Sequence, residues 1–149
     1  MKNVLKSVSI CFIIAAMLTV GAFALAPAKP DQPQASEYIS ETTTAIGALG
    51  GGKIEVDFAI IATDKMKDVG ALQVDIYEVG VAKPVWSHHY TNPGYGYLMG
   101  HNTYSHSEAV LYYGEPEHQY YANVTFFAGN RGVAGDLYIM GSAVVTAKK

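Results

Sequence analysis

The chain has 149 residues, of which 50% are hydrophobic, and it carries a formal net charge of −3. This mildly acidic balance disfavours binding to nucleic acid or to an anionic membrane surface. The chain contains 1 cysteine, which excludes an intrachain disulfide framework.

The first 24 residues have the pattern of an export signal. Lys2 and Lys6 give a basic start, and an apolar run covers residues 10–20. Ala22-Phe23-Ala24 then matches the small-x-small pattern that signal peptidase recognises. We therefore predict a signal peptide over residues 1–24 and a secreted, extracellular mature protein.

Cleavage would also remove Cys11, which lies inside the apolar run and does not fit a lipidation site. The mature chain would then have 8 basic and 13 acidic residues, a formal charge of −5, and no thiol chemistry. Residues 25–36 form a proline-rich polar linker, and residues 37–149 have the length of one domain. We expect no stable membrane anchor after cleavage.

The predicted domain alternates apolar and polar residues with the period of two that is typical of half-buried strands. Clear strands are predicted over residues 53–60, 72–77, 120–128 and 137–146, and weaker ones over 38–48, 85–90 and 108–113. Gly50-Gly51-Gly52 is expected to close a hairpin, and Asp64–Gly70 to form a polar loop. About seven short antiparallel strands predict an all-β, two-sheet sandwich after an N-terminal signal helix.

The alternation in two of these strands predicts which side chains share a face. In the strand over 120–128, Tyr120, Ala122, Val124, Phe126 and Ala128 are expected inside. In the last strand, Leu137, Ile139, Ala143 and Val145 are expected to share one face.

The segment Gln119–Thr125 resembles the penultimate strand of immunoglobulin-like and fibronectin type III domains. This resemblance implies that Tyr120 occupies the tyrosine-corner position, with a buried ring and a hydroxyl bonded to backbone. Ala122 stands where a true immunoglobulin has its second cysteine, so that disulfide is absent. The resemblance implies a fold and no activity.

More broadly, the chain resembles small secreted proteins of Gram-positive, clostridia-like bacteria for which no activity is known. The segments that carry this resemblance are 53–58, Pro93-Gly94-Tyr95 with Met99-Gly100, Ser105-His106-Ser107, and 120–126. His106-Ser107, followed by a strand and then an aromatic-Ala-x-Val strand, is also similar to lactococcin-972-like bacteriocins. These resemblances favour secretion and a β-sandwich.

The stretch from Trp86 to Tyr113 is unusually rich in aromatic residues and histidines. Within it, a long loop is predicted between Tyr90 and Ser107, and long loops in compact domains are often functional. Its side chains combine apolar faces with polar tips, as in binding loops. The predicted ligand-binding residues are Trp86, Tyr95, Tyr97, His101 and Tyr104. The alternative is that Tyr95, Tyr97 and Met99 cover an open end of the sandwich.

The histidines do not predict a metal site. His88 and His89 are adjacent and face opposite sides of a strand. His88 could converge with His101, His106 or His118, but no spacing matches a known zinc pattern. We therefore expect no metal and no cofactor.

Catalysis is not predicted either. Ser87 and Ser105 precede histidines but have no nucleophile-elbow motif. Glu108, Glu115 and Glu117 could form an acid–base pair, but carboxylates at turns are usually solvated. We expect a non-enzyme that binds an extracellular glycan or protein surface. The alternatives are a bacteriocin-like antagonist of other cells and a structural or matrix protein without a dedicated site.

Overall fold

The computed structural model describes residues 36–130 and 135–149. The predicted signal peptide over 1–24 and all but the last residue of the linker over 25–36 lie outside the described residues. In the part of the chain that is described, no helix is long and apolar enough to span a membrane.

The described residues form seven strands and one short 3-10 helix. The strands are β1 (Ile39–Gly50), β2 (Lys53–Glu78), β3 (Trp86–His89), β4 (Met99–Tyr113), β5 (Gln119–Gly129), β6 (Gly135–Gly141) and β7 (Val145–Thr146), and the 3-10 helix covers Gly96–Leu98. Every strand pair is antiparallel. The predicted all-β antiparallel fold is therefore confirmed.

Strand β2 organises the whole sheet because its 26 residues pair with four other strands. Its first half lies between β1 and β4. Its second half has β5 on one side and, on the other, the start of β4 followed by β3. The predicted polar loop over Asp64–Gly70 is wrong, because β2 continues through it. An irregularity in the pairing with β4, between Ile61 and Met66, lies in this polar stretch, and such irregularities bend a strand without ending it.

The sheet order is β1-β2-β5-β6, with β3 and β4 attached to β2 and β7 attached to β5. The described strands thus form one hydrogen-bonded sheet and not the two separate sheets predicted from the sequence, because β2 belongs to both halves. The sheet curls so that its halves share one core. Phe58 of β2 and Phe126 of β5 meet edge to face with ring centroids 6.1 Å apart.

The core confirms the predicted inner faces of β2 and β5. Ile54, Val56, Phe58 and Ile60 are at most 2% exposed. In β5, all five of the residues predicted inside, Tyr120 to Ala128, are fully buried. Most of the buried hydrophobic residues lie on β2 and β5, and burying an aliphatic or phenylalanine side chain contributes about 1.5–3 kcal/mol. The predicted hairpin is also present, with positive φ angles of 102°, 60° and 73° at Gly50, Gly51 and Gly52.

Leu137 and Ile139 share one face of β6, as predicted, and that face points away from the core. Leu137 and Ile139 are 63% and 61% exposed, whereas Tyr138 and Met140 pack against the core. Asp136 shares the face of these two residues and accepts a hydrogen bond from the Tyr38 backbone N–H at 2.7 Å. This contact with the start of β1 fixes the side that β6 presents to the core.

The predicted last strand is also interrupted. Ser142 exchanges two hydrogen bonds with the Ala122 backbone, one through its own N–H at 2.8 Å and one through its Oγ at 2.9 Å. The chain leaves the strand here, Ala143 is exposed, and pairing resumes in β7 with Val145 opposite Tyr120.

Candidate functional site

Three of the predicted binding residues meet at the edge strand β3. Trp86 and His88 lie opposite Ile76 and Val74 of β2, so their side chains belong to the core face of the sheet. Tyr95 and Tyr97 come from the connection that crosses this edge. We call Trp86, His88, Tyr95 and Tyr97 the seam cluster, because it links β3, which pairs with the second half of β2, to β4, where His106 bonds to Tyr97.

The rings of the seam cluster contact one another closely. His88 and Tyr95 stack with centroids 3.8 Å apart and planes 12° apart. Trp86 meets both rings edge to face, at 4.5 Å and 5.7 Å. Tyr97 lies 6.1 Å from Tyr95. Such edge and offset contacts stabilise aromatic groups beyond their area burial.

The connection that carries Tyr95 and Tyr97 is shorter and better anchored than predicted. The expected loop between Tyr90 and Ser107 ends at Met99, where β4 begins. Leu98 is fully buried, and the Tyr97 carbonyl accepts a hydrogen bond from His106 Nε2 at 2.7 Å. The register of β4 opposite β2 therefore fixes the position of the seam cluster.

Exposure divides the seam cluster into two parts. Trp86 and Tyr95 are partly buried and pack against the core, so they do cover an open side of the fold. Tyr97 is 42% exposed. Partial burial raises the pKa of its phenol, and Tyr95 and the Glu108 carboxylate raise it further. Tyr97 thus presents a partly exposed ring and hydroxyl at the surface.

The other two predicted residues lie elsewhere. His101 Nδ1 is 2.6 Å from Asp68 Oδ1, and Tyr104 is 56% exposed on β4. Among the described residues, neither ring takes part in the ring contacts of the seam cluster. The structure therefore brings together Trp86, Tyr95 and Tyr97 but not His101 or Tyr104.

The His101–Asp68 pair forms a second polar feature. Asp68 is 4% exposed, while the His101 side chain is 53% exposed. Both line a shallow depression of about 390 Å³ with Lys67 and Asn102. A buried carboxylate at Nδ1 holds the imidazole with Nε2 available to a ligand.

The histidines do not converge. His89 Nδ1 contacts Thr91 Oγ1 at 2.8 Å, and His118 Nδ1 contacts Glu78 Oε1 at 2.7 Å. The described residues contain no group of three or more His, Cys, Asp or Glu that could hold a metal ion. The expectations of no metal and no cofactor stay predictions.

The candidate catalytic side chains also have separate partners. Ser87 Oγ donates to Asp75 at 2.5 Å and not to a histidine. The Glu117 carboxylate pairs with Lys149 at 2.8 Å, whereas the Glu108 carboxylate helps to raise the pKa of Tyr97. The expectation of a non-enzyme stays a prediction.

A polar and aromatic surface on the opposite face of the sheet was missed from the sequence. Its members lie on β2, β3 and β5 and face away from the core; we call them the outer-face cluster, namely Gln73, Asp75, Tyr77, Ser87, Tyr121 and Asn123. Period-two alternation does predict that most of these residues point outward. Their grouping depends on the pairing of β2 with β5, which joins residues more than 40 positions apart.

No protein-family model matches this chain, and no curated protein shows significant similarity to it. The resemblance to secreted proteins of Gram-positive bacteria therefore remains a prediction.

Proposed function

We propose that the protein is a secreted, non-catalytic binding module that contacts an extracellular glycan or protein surface through the seam cluster. The observation that carries the proposal is the exposed ring of Tyr97. Its centroid lies 6.1 Å from that of Tyr95, which packs with Trp86 and His88, and the Glu108 carboxylate acts on its phenol electrostatically.

The packing of these aromatic rings makes this surface suitable for binding. Tyr97 is held by the Tyr95 ring and by the bond from His106 to its carbonyl, so little conformational freedom remains to be lost on binding. A tyrosine ring offers an apolar face to the C–H surface of a sugar or to an apolar side chain. Its hydroxyl and the Glu108 carboxylate offer polar contacts at the margin.

Charge narrows the choice of ligand. The mature chain would have a formal charge of −5, and the seam contributes the Glu108 carboxylate. Polyanionic ligands are disfavoured by this charge, whereas neutral glycans and basic protein surfaces are not.

We also propose that the curled sheet is a variant of the immunoglobulin and fibronectin type III sandwich. The support is Tyr120, whose ring is fully buried and whose hydroxyl bonds to backbone five residues upstream. Both features belong to the tyrosine corner.

A binding screen against immobilised glycans, cell-wall preparations and extracellular proteins tests the binding proposal. Tyr97→Ala is expected to reduce binding at least tenfold without changing the melting temperature by more than a few degrees. Tyr113→Ala is the matched control, because Tyr113 is a tyrosine on β4 that is 69% exposed. Equal binding by the wild type and Tyr97→Ala would reject the seam cluster as the contact surface.

A further inference from the structure

We infer that the outer-face cluster is a second ligand site, which takes an uncharged polysaccharide chain. This inference extends the proposed binding function to a different face of the sheet, and it does not require the seam cluster to bind anything. It follows from the register, the hydrogen bonds and the charge of the six residues.

The register places five of these side chains in two neighbouring rows and Gln73 in the next row, opposite His89 and Thr125. Tyr77 lies directly opposite Tyr121, and Asp75 lies opposite Asn123 on one side and Ser87 on the other. Adjacent strands are about 4.8 Å apart, so the second row brings three polar groups across roughly 10 Å of sheet. This surface is wide enough to contact several hydroxyls of an extended ligand.

The polar groups are held in position by each other. Asp75 accepts hydrogen bonds from Gln73 Nε2 at 2.9 Å and 3.0 Å and from Ser87 Oγ at 2.5 Å. A solvated carboxylate ordinarily samples several rotamers, and fixing it costs entropy. Here that ordering is already in place before a ligand arrives, which favours binding.

The aromatic row has a similar arrangement. The rings of Tyr77 and Tyr121 stack with centroids 5.1 Å apart and planes 8° apart. Burial raises the pKa of Tyr77, Asp75 and Tyr121 raise it further, and a hydrogen bond with Asn123 acts against them. A tyrosine hydroxyl both donates and accepts hydrogen bonds, so the row combines apolar ring surface with polar groups.

The chemistry of the cluster identifies the class of ligand. Five of its six side chains are uncharged, and the sixth, Asp75, is a hydrogen-bond acceptor. Sugar hydroxyls can donate to the carboxylate and can exchange hydrogen bonds with the amides and hydroxyls around it. An apolar protein surface would leave these groups without partners, and an acidic polysaccharide would be repelled by Asp75 and by the acidic domain.

The position of β3 connects this face with the seam. Ser87 belongs to the outer face, whereas its neighbours Trp86 and His88 belong to the seam cluster. β3 is an edge strand of four residues. The two surfaces are therefore separated by one short strand, but each can be tested by its own substitution.

The experiment is a pull-down of the purified full chain with insoluble cellulose and chitin, together with affinity electrophoresis in soluble xylan and polygalacturonate. Binding to at least one uncharged polymer and none to polygalacturonate is expected. Asp75→Asn and Tyr121→Ala should each weaken that binding at least tenfold, whereas the control Tyr113→Ala should leave it within twofold.

Asp75→Asn keeps the size of the side chain, so its binding tests the outer-face site even if Tyr121→Ala lowers the folded fraction. The inference is overturned if the wild type binds no uncharged polymer, if it prefers polygalacturonate, or if Asp75→Asn binds like the wild type. A loss caused by Tyr97→Ala but not by Asp75→Asn would reject the outer-face site and leave the seam proposal standing. The reverse result would support the outer-face site and would reject the seam cluster as the contact surface for polysaccharide.

Discussion

The Tyr120 hydroxyl accepts a hydrogen bond from the backbone N–H of Glu115 at 2.9 Å, across the turn that leads into β5. The ring is fully buried, packs edge to face on Tyr112 at 5.7 Å, and lies close to Gly114. A Cβ at Gly114 would come within 2.7 Å of the Tyr120 ring. The ring and the turn therefore fit only with glycine at this position. The burial and the backbone bond expected for Tyr120 from its sequence resemblance are both confirmed.

The first prediction concerns the Tyr120 hydroxyl. Tyr120→Phe should lower the free energy of unfolding by about 1–2 kcal/mol, because the Glu115 N–H loses its acceptor. Tyr121→Phe is the control: Tyr121 lies on the outer face, and its substitution should cost less than about 0.5 kcal/mol. Urea unfolding of both variants measures the difference. Equal losses would contradict the assigned roles of the two tyrosines.

The strands that were predicted correctly share one physical feature. In residues 53–60 and 120–128, one face is buried and the other is solvated. The local alternation is therefore enough to predict which side chains are buried. Strand β6 has apolar side chains on both faces, and periodicity alone cannot choose between them. The choice between Ile139 and Met140 depends on the contact of Asp136 with Tyr38, which lies 98 positions away.

For the candidate sites too, the local sequence pattern does not show contacts between residues that are far apart in the chain. Trp86, Tyr95 and Tyr97 were identified because the aromatic residues are dense along one stretch of chain. Tyr77 and Tyr121 lie in separate strands, and each is unremarkable in its own segment. Only the pairing of β2 with β5 brings their rings together. The continuation of β2 through Asp64–Gly70 was also missed. The exposed charged residues of this stretch give it a composition that is typical of a loop.

The second prediction tests the orientation of β6. Ile139→Thr should change the free energy of unfolding by less than about 0.5 kcal/mol, because Ile139 is 61% exposed. Met140→Ala should cost about 1–3 kcal/mol, because Met140 packs against the core and contacts Thr42. Thermal unfolding of the two variants separates them. A larger loss for Ile139→Thr would mean that β6 faces the other way.

The third prediction concerns the seam cluster. Tyr95→Ala should lower the free energy of unfolding by about 1–2 kcal/mol, since Tyr95 is partly buried and contacts Trp86, His88 and Tyr97. Tyr97→Ala should cost less, because its ring is 42% exposed. Chemical unfolding measures both losses. If Tyr95→Ala were as stable as the wild type, the ring stack would have no part in covering the core.

The fourth prediction is a pH dependence that comes from Asp136. The bond from Ser36 Oγ, followed by the bonds from the backbone N–H groups of Tyr38 and Glu37, lowers its pKa below the ordinary value of 3.8. A depressed native pKa means that the ionised form stabilises the fold. This contribution is complete above the ordinary pKa and is lost as the pH falls through the lowered value.

Asp136→Asn should therefore be less stable than the wild type at pH 6, and the difference should shrink as the solution is acidified towards pH 2. The variant Asp57→Asn, at an exposed carboxylate, is the control for the loss of one acidic side chain at each pH. Unfolding curves at a series of pH values give both differences. A gap between Asp136→Asn and the wild type that stays constant with pH would contradict the role of the charge.

The last prediction compares two pairs of histidine and carboxylate with nearly equal geometry. His101 lies 2.6 Å from Asp68, and His118 lies 2.7 Å from Glu78. The two histidines are about equally exposed, but the Asp68 side chain is 6% exposed and the Glu78 side chain 26%. An interaction with a buried charge is screened less by water and salt than one near the surface. Removing His101, the partner of the more buried Asp68, should therefore lower the free energy of unfolding more than removing His118.

At neutral pH, His101→Ala should lower the free energy of unfolding by about 1–3 kcal/mol, since the buried Asp68 loses a hydrogen-bond donor. His118→Ala should cost about 0–1 kcal/mol, which is the range of exposed pairs. Raising the salt concentration should reduce the His118 effect more than the His101 effect. Urea unfolding at low and high salt measures all four differences. A larger loss for His118→Ala would show that the burial of the carboxylate does not determine the strength of these pairs.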